Sequence, residues 1–188
     1  MLRKRRMVRS FEARALDPAV VDRILAAGLR GPSAGFTQGV ELLLLEGREE
    51  TGRYWDAALP VDRRLDFPWP GLLRAPVLVL VLVSEQAYRR RYAEADKDGA
   101  ASLAMPWWLV DAAFAAMLLQ LAAADAGLGA LFFAAHDVPA LRRTFGFPEA
   151  FEPVGTVAVG HPAPDRPSSS VVARPPRASA DLVHRGGW

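Results

Sequence analysis

Arginine dominates the start of the chain: Arg3, Lys4, Arg5, Arg6 and Arg9 fall within the first nine residues. A guanidinium keeps its charge at any physiological pH and donates paired hydrogen bonds in a fixed fork, a geometry that suits phosphate. The same cluster would also fit a signal-peptide n-region, a nucleic-acid arm or plain solvated arginines on a basic surface. No apolar h-region follows, because Ser10, Phe11, Glu12, Ala13 and Arg14 are mostly polar, so secretion is not expected. Arg174 and Arg177 lie in the tail, and a phosphate site forms if the two chain ends meet.

Two glycine motifs invite chemistry and argue against it. Gly31, Pro32, Ser33, Ala34 and Gly35 spell G-x-S-x-G, the nucleophile elbow of serine hydrolases, with Asp137 and His161 or His184 available for a triad. The elbow requires a strand before the serine and a helix after it. Here the order is reversed, which leaves a hydrolase using Ser33 as the third reading. Gly127, Leu128 and Gly129 sit between a helix and a strand and lack the third glycine of a dinucleotide fingerprint, so Gly127 is expected to close the helix before it. Asp111, near that helix's N-terminus, is expected to complement the helix dipole rather than to act as a catalytic acid. With no cysteine there is neither a thiolate nucleophile nor a disulfide framework, and a reducing cytoplasm is the default. Three scattered histidines without a ligand motif predict no metal site.

The elements that must position these groups follow from periodicity. Residues 107–126 are apolar nearly all round, with Pro106 at the entry and Gly127 at the exit, and predict one long helix. Its length approaches a bilayer span, but Asp111, Gln120 and Asp125 favour a central helix shared with a subunit interface. Asp17 and Pro18 begin an amphipathic helix to residue 30. Residues 40–46 read as a strand, 49–59 as a helix, and 60–76, with four prolines, as a long irregular loop. Residues 77–83, VLVLVLV, predict a central strand apolar on both faces, and Ser84 caps a polar helix to about residue 96. A linker over 97–103 leads into the long helix. Residues 130–135 form a buried strand, Asp137 caps a short helix through residue 145, and 154–159 form a last strand. Residues 162–188 form an extended arm whose apolar end, Leu182, Val183 and Trp188, is expected to dock. The 188 residues, half of them hydrophobic, fit a single domain over 1–188, and 23 Lys plus Arg against 21 Asp plus Glu leave the bulk charge uninformative about partners.

Several segments, in order and in register, resemble the FMN-dependent nitroreductase family. Arg5-Arg6-Met7-Val8-Arg9-Ser10-Phe11 is similar to its R-R-S-x-R-x-F opening, and Pro32-Ser33-Ala34-Gly35-Phe36-Thr37-Gln38 to its P-S-x-x-N-x-Q loop. The helix with Asp111 followed by Gly-Leu-Gly, the stretch from Val154 to Pro162, and the Arg174-Pro-Pro-Arg177 arm ending in Leu-Val-His complete the match over nearly the whole chain. The resemblance is greatest to short actinobacterial-type members with a P-S-A-G-F-T-Q-G loop.

That resemblance implies an α+β fold, a mixed sheet flanked by helices, dimerising through the central apolar helix. It implies FMN as cofactor and NAD(P)H as reductant, with a small organic acceptor such as a quinone or nitro compound. The implied partners are a second copy and a small molecule, not nucleic acid or membrane. The alternative is a non-catalytic flavin carrier or sensor. Carried over, it sets the FMN phosphate and ribityl chain against Arg5, Arg6, Met7 and Arg9, with Arg174 and Arg177 closing from the tail. Pro32, Ser33, Ala34 and Phe36 would approach from the other subunit. Phe132, Phe133, Ala134 and Ala135 would line the isoalloxazine, with a backbone N–H of Ala134 or Ala135 near flavin N5. No residue is assigned general acid–base work, because the flavin carries the chemistry. Three positions depart from the pattern: Met7 for a serine or threonine, Phe36 for an asparagine, and Ala134 for an acidic or polar residue. Phe36 in the substrate cleft predicts poor use of bulky nitroaromatics; the alternative is that Phe36 packs against the Trp69 loop.

Overall fold

The computed structural model describes residues 5–97, 104–174 and 176–188. Arg3, Lys4, Pro175 and the linker residues beyond Lys97 therefore lie outside the described residues. The sheet has four strands in the order β1-β2-β4-β3, with β1 at Val40–Glu46, β2 at Val77–Val83, β3 at Gly129–Phe133 and β4 at Glu152–Gly160. All three ladders are antiparallel, and the parallel component comes from one bridge at the edge, Met7 to Ala130. Pro153 falls where the β2–β4 register shifts between Val81 and Leu82, a bulge that tolerates its missing donor.

Strict alternation in β2 divides the core between two faces. Val77, Val79, Val81 and Val83 pack into one cluster with the helices α1 (Pro18–Gly28) and α5 (Trp107–Asp125). Leu78, Leu80 and Leu82 face a second cluster with α2 (Gly47–Ala58) and Leu141 of α6 (Val138–Phe145). All seven β2 residues are buried, as expected of a strand covered on both sides.

One face of α5, including Ala112, Ala115, Ala116, Leu119 and Ala123, is buried against the sheet and α1, which makes it a core helix despite its span-like length. Pro106 is the N-cap of a helix that begins at Trp107 as expected, and Gly127 at φ +75° closes the far end. Leu109, Phe114 and Met117 on its other side remain 44–46% exposed, so among the described residues an apolar stripe is only partly covered.

Several regions depart from expectation, among them β3, which ends at Phe133 rather than at residue 135. The stretch 60–76 is not wholly irregular: it contains α3 (Val61–Arg64) and a 3-10 turn over Pro70–Arg74, both too short to show a period. The helix after Ser84, α4 (Glu85–Tyr92), stops four residues early. The arm contains α7 (Ser169–Ala173) and a 3-10 turn at Ser179–Asp181, and its apolar end is exposed rather than docked on its own chain: Leu182 54%, Val183 58% and Trp188 fully. Among the described residues there are seven α-helices where the pattern suggests five.

Candidate functional site

Chain residues 7–12 lie beside the sheet as an extended arm. Val8 N–H donates to the Ala130 carbonyl at 3.0 Å and the Val8 side chain is buried. Alternation then turns Met7 and Arg9 to the other side. There they meet Tyr54, Trp55 and Leu59 of α2, Phe67 and Trp69 of the following loop, Phe132 and Phe133 of β3, and His136, around a cavity of about 320 Å³.

The cavity is predominantly aromatic. Trp55 stacks on Phe133 at 5.6 Å and 11°, and Tyr54 stands edge-on to both rings. The Tyr54 hydroxyl shares a buried hydrogen bond of 2.9 Å with Thr156 Oγ1, and burial pushes its pKa up to about 12. Trp55 Nε1 is a buried donor with no partner among the described residues. An unpaired buried N–H costs about 1–3 kcal/mol, so a ligand acceptor reaching it would be favoured. The Arg9 guanidinium lies 5.1 Å over the Trp69 ring, while its backbone N–H donates to Asp165 Oδ2 at 2.7 Å.

Arg5 and Arg6 line a smaller cavity of about 170 Å³ with Gln120 and residues 127–130. The chain ends do meet, but through Asp165, whose carboxylate is 4.0 Å from Arg6. Arg174 and Arg177 are exposed and line neither cavity; Arg177 donates to the Asp181 carbonyl instead.

The loop 32–38 lies on the other side of the sheet, against α1, α4 and α5. Asp111 Oδ2 accepts the Ala34 N–H at 2.8 Å and the Tyr88 hydroxyl at 2.7 Å, so this carboxylate anchors the loop to α4 and α5 rather than complementing the helix dipole. Burial and Asp111 together raise the Tyr88 phenol's pKa. Arg91 Nε donates to the Gly35 carbonyl and is itself forked onto Asp96, which holds that carboxyl well below the usual range. Ser33 Oγ accepts the Gln38 N–H. So clamped, the loop carries left-handed backbone at Gly35 (φ +63°), Phe36 (+54°) and Gln38 (+55°). A left-handed non-glycine residue costs roughly 1–2 kcal/mol. Phe36 is 76% exposed and borders a cavity with Leu29, Pro32, Ser33 and Ala115, so it does not pack against the Trp69 loop.

Ser33 meets no histidine: His161 is bonded by Arg14 and His184 stacks on Trp188. The triad therefore does not assemble among the described residues. Sequence reasoning brought Met7, Arg9, Phe132 and Phe133 into view but overlooked Tyr54, Trp55, Phe67, His136, Asp165 and Arg166. Aromatics on an amphipathic helix carry the pattern of ordinary core, and a Pro/Arg/Ser tail has no period; the one available signal was Trp69 amid four prolines.

The Nitroreductase family model matches residues 2–161. A protein of Methanothermobacter thermautotrophicus named "Putative NADH dehydrogenase/NAD(P)H nitroreductase" is 24% identical over 100% of this chain and 85% of its own length. Among solved structures, a nitroreductase family protein of Clostridium difficile 630 superposes with a TM-score of 0.73 at 16% identity, covering 100% of this chain and 96% of that one. An FMN-dependent nitroreductase from Clostridium difficile R20291 gives 0.70 at 18% identity, covering 100% and 98%.

Proposed function

The chain belongs to the nitroreductase family, and on that premise we propose that it is an FMN-dependent oxidoreductase in which NAD(P)H reduces the flavin and a small organic acceptor, a quinone or nitro compound, reoxidises it. The observation that carries the reading is the convergence of Met7, Arg9, Phe132 and Phe133 on one aromatic cavity, with Arg5 and Arg6 at a second cavity along the same arm.

The residues fit the cofactor. Arg5 and Arg6 would hold the phosphate, Met7 and Arg9 the ribityl side, and Phe132 to Ala135 the ring system, which could also satisfy the orphaned Trp55 N–H. FMN, when bound, supplies two-electron hydride chemistry. Ala134 and Ala135 follow the last ladder pair, Phe133 with Thr156, so the sheet does not use their N–H groups and they can donate to the flavin edge. The aromatic walls exclude water from that edge.

The working form in this reading is a cytoplasmic homodimer. The half-exposed stripe of α5 and the exposed loop carrying Pro32, Ser33, Ala34 and Phe36 adjoin one another, which suits a loop that reaches the partner's flavin. Arg174 and Arg177, which line neither cavity within one chain, would close the site across that interface.

The test is anaerobic titration of FMN-reconstituted protein. NAD(P)H should bleach the flavin absorbance, and a small quinone should restore it. Flavin that stays bound but is not bleached would favour the carrier or sensor, and failure to retain FMN would sink both.

A further inference from the structure

FMN carries one phosphate, whereas the arm presents two separate basic sites, Arg5 with Arg6 at one cavity and Arg9 with Arg74 and Arg166 at another. Building on the function proposed above, we propose that the second site, a cleft of about 600 Å³ between the Trp69 loop and the tail, binds a phosphate group of the nicotinamide dinucleotide.

Three guanidiniums and a single carboxylate, Asp165, line this cleft. That carboxylate is already engaged: Oδ2 accepts the Arg9 N–H and Oδ1 the Arg166 N–H, which joins the arm to the tail. Its nearest opposite charge is Arg6, at 4.0 Å. The three arginines keep donors to spare. Arg166 uses Nη2 on the Pro68 carbonyl, Arg74 uses Nε and Nη2 on the Phe11 carbonyl and Ser10 Oγ, and the Arg9 guanidinium has no acceptor among the described residues. Each guanidinium has five N–H groups, so an incoming phosphate finds forked donors without displacing an ion pair. The Trp69 ring supports two of the three, at 5.1 Å from Arg9 and 5.3 Å from Arg166, which reduces the ordering lost on binding.

Location identifies the ligand. Arg9 and Trp69 line both this cleft and the aromatic cavity, so a molecule with its phosphate here can reach the redox cavity with its other end. A nicotinamide dinucleotide has that form, with a pyrophosphate in its middle and, in NADPH, an added 2′-phosphate.

Steady-state kinetics of the FMN-loaded enzyme test the assignment, with NADPH, NADH and a phosphate-free N-alkyl dihydronicotinamide as reductants. Arg166→Ala should raise the dinucleotide KM by about tenfold, the loss of one charge-assisted contact, with a smaller change in kcat, and Arg166→Lys should recover part of it. A loss confined to NADPH identifies the 2′-phosphate; a loss shared with NADH identifies the pyrophosphate. An unchanged KM, or an equal rise for the phosphate-free reductant, overturns the proposal. Calorimetric titration with adenosine 2′,5′-bisphosphate and with ADP needs no turnover. Binding that Arg166→Ala weakens upholds the cleft even if NAD(P)H does not reduce the flavin, in which case only the proposed function fails; no binding of either nucleotide overturns the cleft.

Discussion

Phe36 holds a backbone conformation that a branched or bulky residue adopts only under constraint, and four hydrogen bonds, from Arg91, to Asp111 and within the loop, hold its neighbourhood in place. Asparagine tolerates left-handed backbone far better. Phe36→Asn should therefore raise unfolding stability by about 0.5–1 kcal/mol in urea titration. It should also raise nitroaromatic turnover while leaving FMN affinity within about 1 kcal/mol. An unchanged acceptor profile would remove Phe36 from the cleft. Arg5→Ala should weaken FMN by about 1.5–3 kcal/mol and riboflavin very little, measured by fluorescence quenching; an equal loss for both flavins would take Arg5 away from the phosphate. Tyr54 carries a pH signature. Its folded-state pKa lies above that of the unfolded chain, so its contribution is complete below pH 10 and is lost as pH rises towards about 12. The span corresponds to roughly 2–3 kcal/mol. Tyr54→Phe should flatten the fall in stability over that window, and a slope identical to wild type would contradict the burial argument.

At the level of elements, legibility followed the length and regularity of the pattern. The bounds of β1 and β2 were readable to the residue, because β2 is an uninterrupted apolar run and β1 an apolar run broken only by Glu41, each bounded by turn or cap residues. β4 extends two residues before the apolar run, to Glu152, because the bulge lets Pro153 join the ladder. α3 and α7 escaped because four or five residues complete barely one helical turn. Gly155 shows what periodicity cannot reveal. A Cβ there would stand 2.5 Å from the Phe132 ring and 2.8 Å from the Phe133 carbonyl, so the end of β3 rests on the bare backbone of β4. Gly155→Ala should cost about 1–3 kcal/mol in unfolding stability. It should also loosen flavin binding through the displaced Phe132; normal stability with normal flavin content would show that the ring has room to move.

For the molecule as a whole, the single chain leaves unfinished business along α5. Leu109, Phe114 and Met117 form an apolar stripe that the described residues leave half-exposed. Met117→Glu should shift light-scattering mass to a monomer and release FMN with it, whereas a monomeric wild type holding stoichiometric FMN would reject the shared site. Part of the site was legible because the resemblance fixes order along the chain: Met7, Arg9, Phe132 and Phe133, far apart in sequence, do share a cavity. Arg74, Asp165 and Arg166 were not legible, because their meeting depends on how the tail runs back over the arm, which no local pattern records.

The arm has a consequence for synthesis. The arginine arm is made before the segments it pairs with: Val8 waits for Ala130, Ser10 for Ala163, and Arg9 for Asp165, 156 residues later. Contacts of such separation close only after the intervening chain has ordered. The nascent protein can assemble its sheet core well before its basic arm is seated. The two cavities that the arm lines are then completed only once the chain as far as Asp165 has been made.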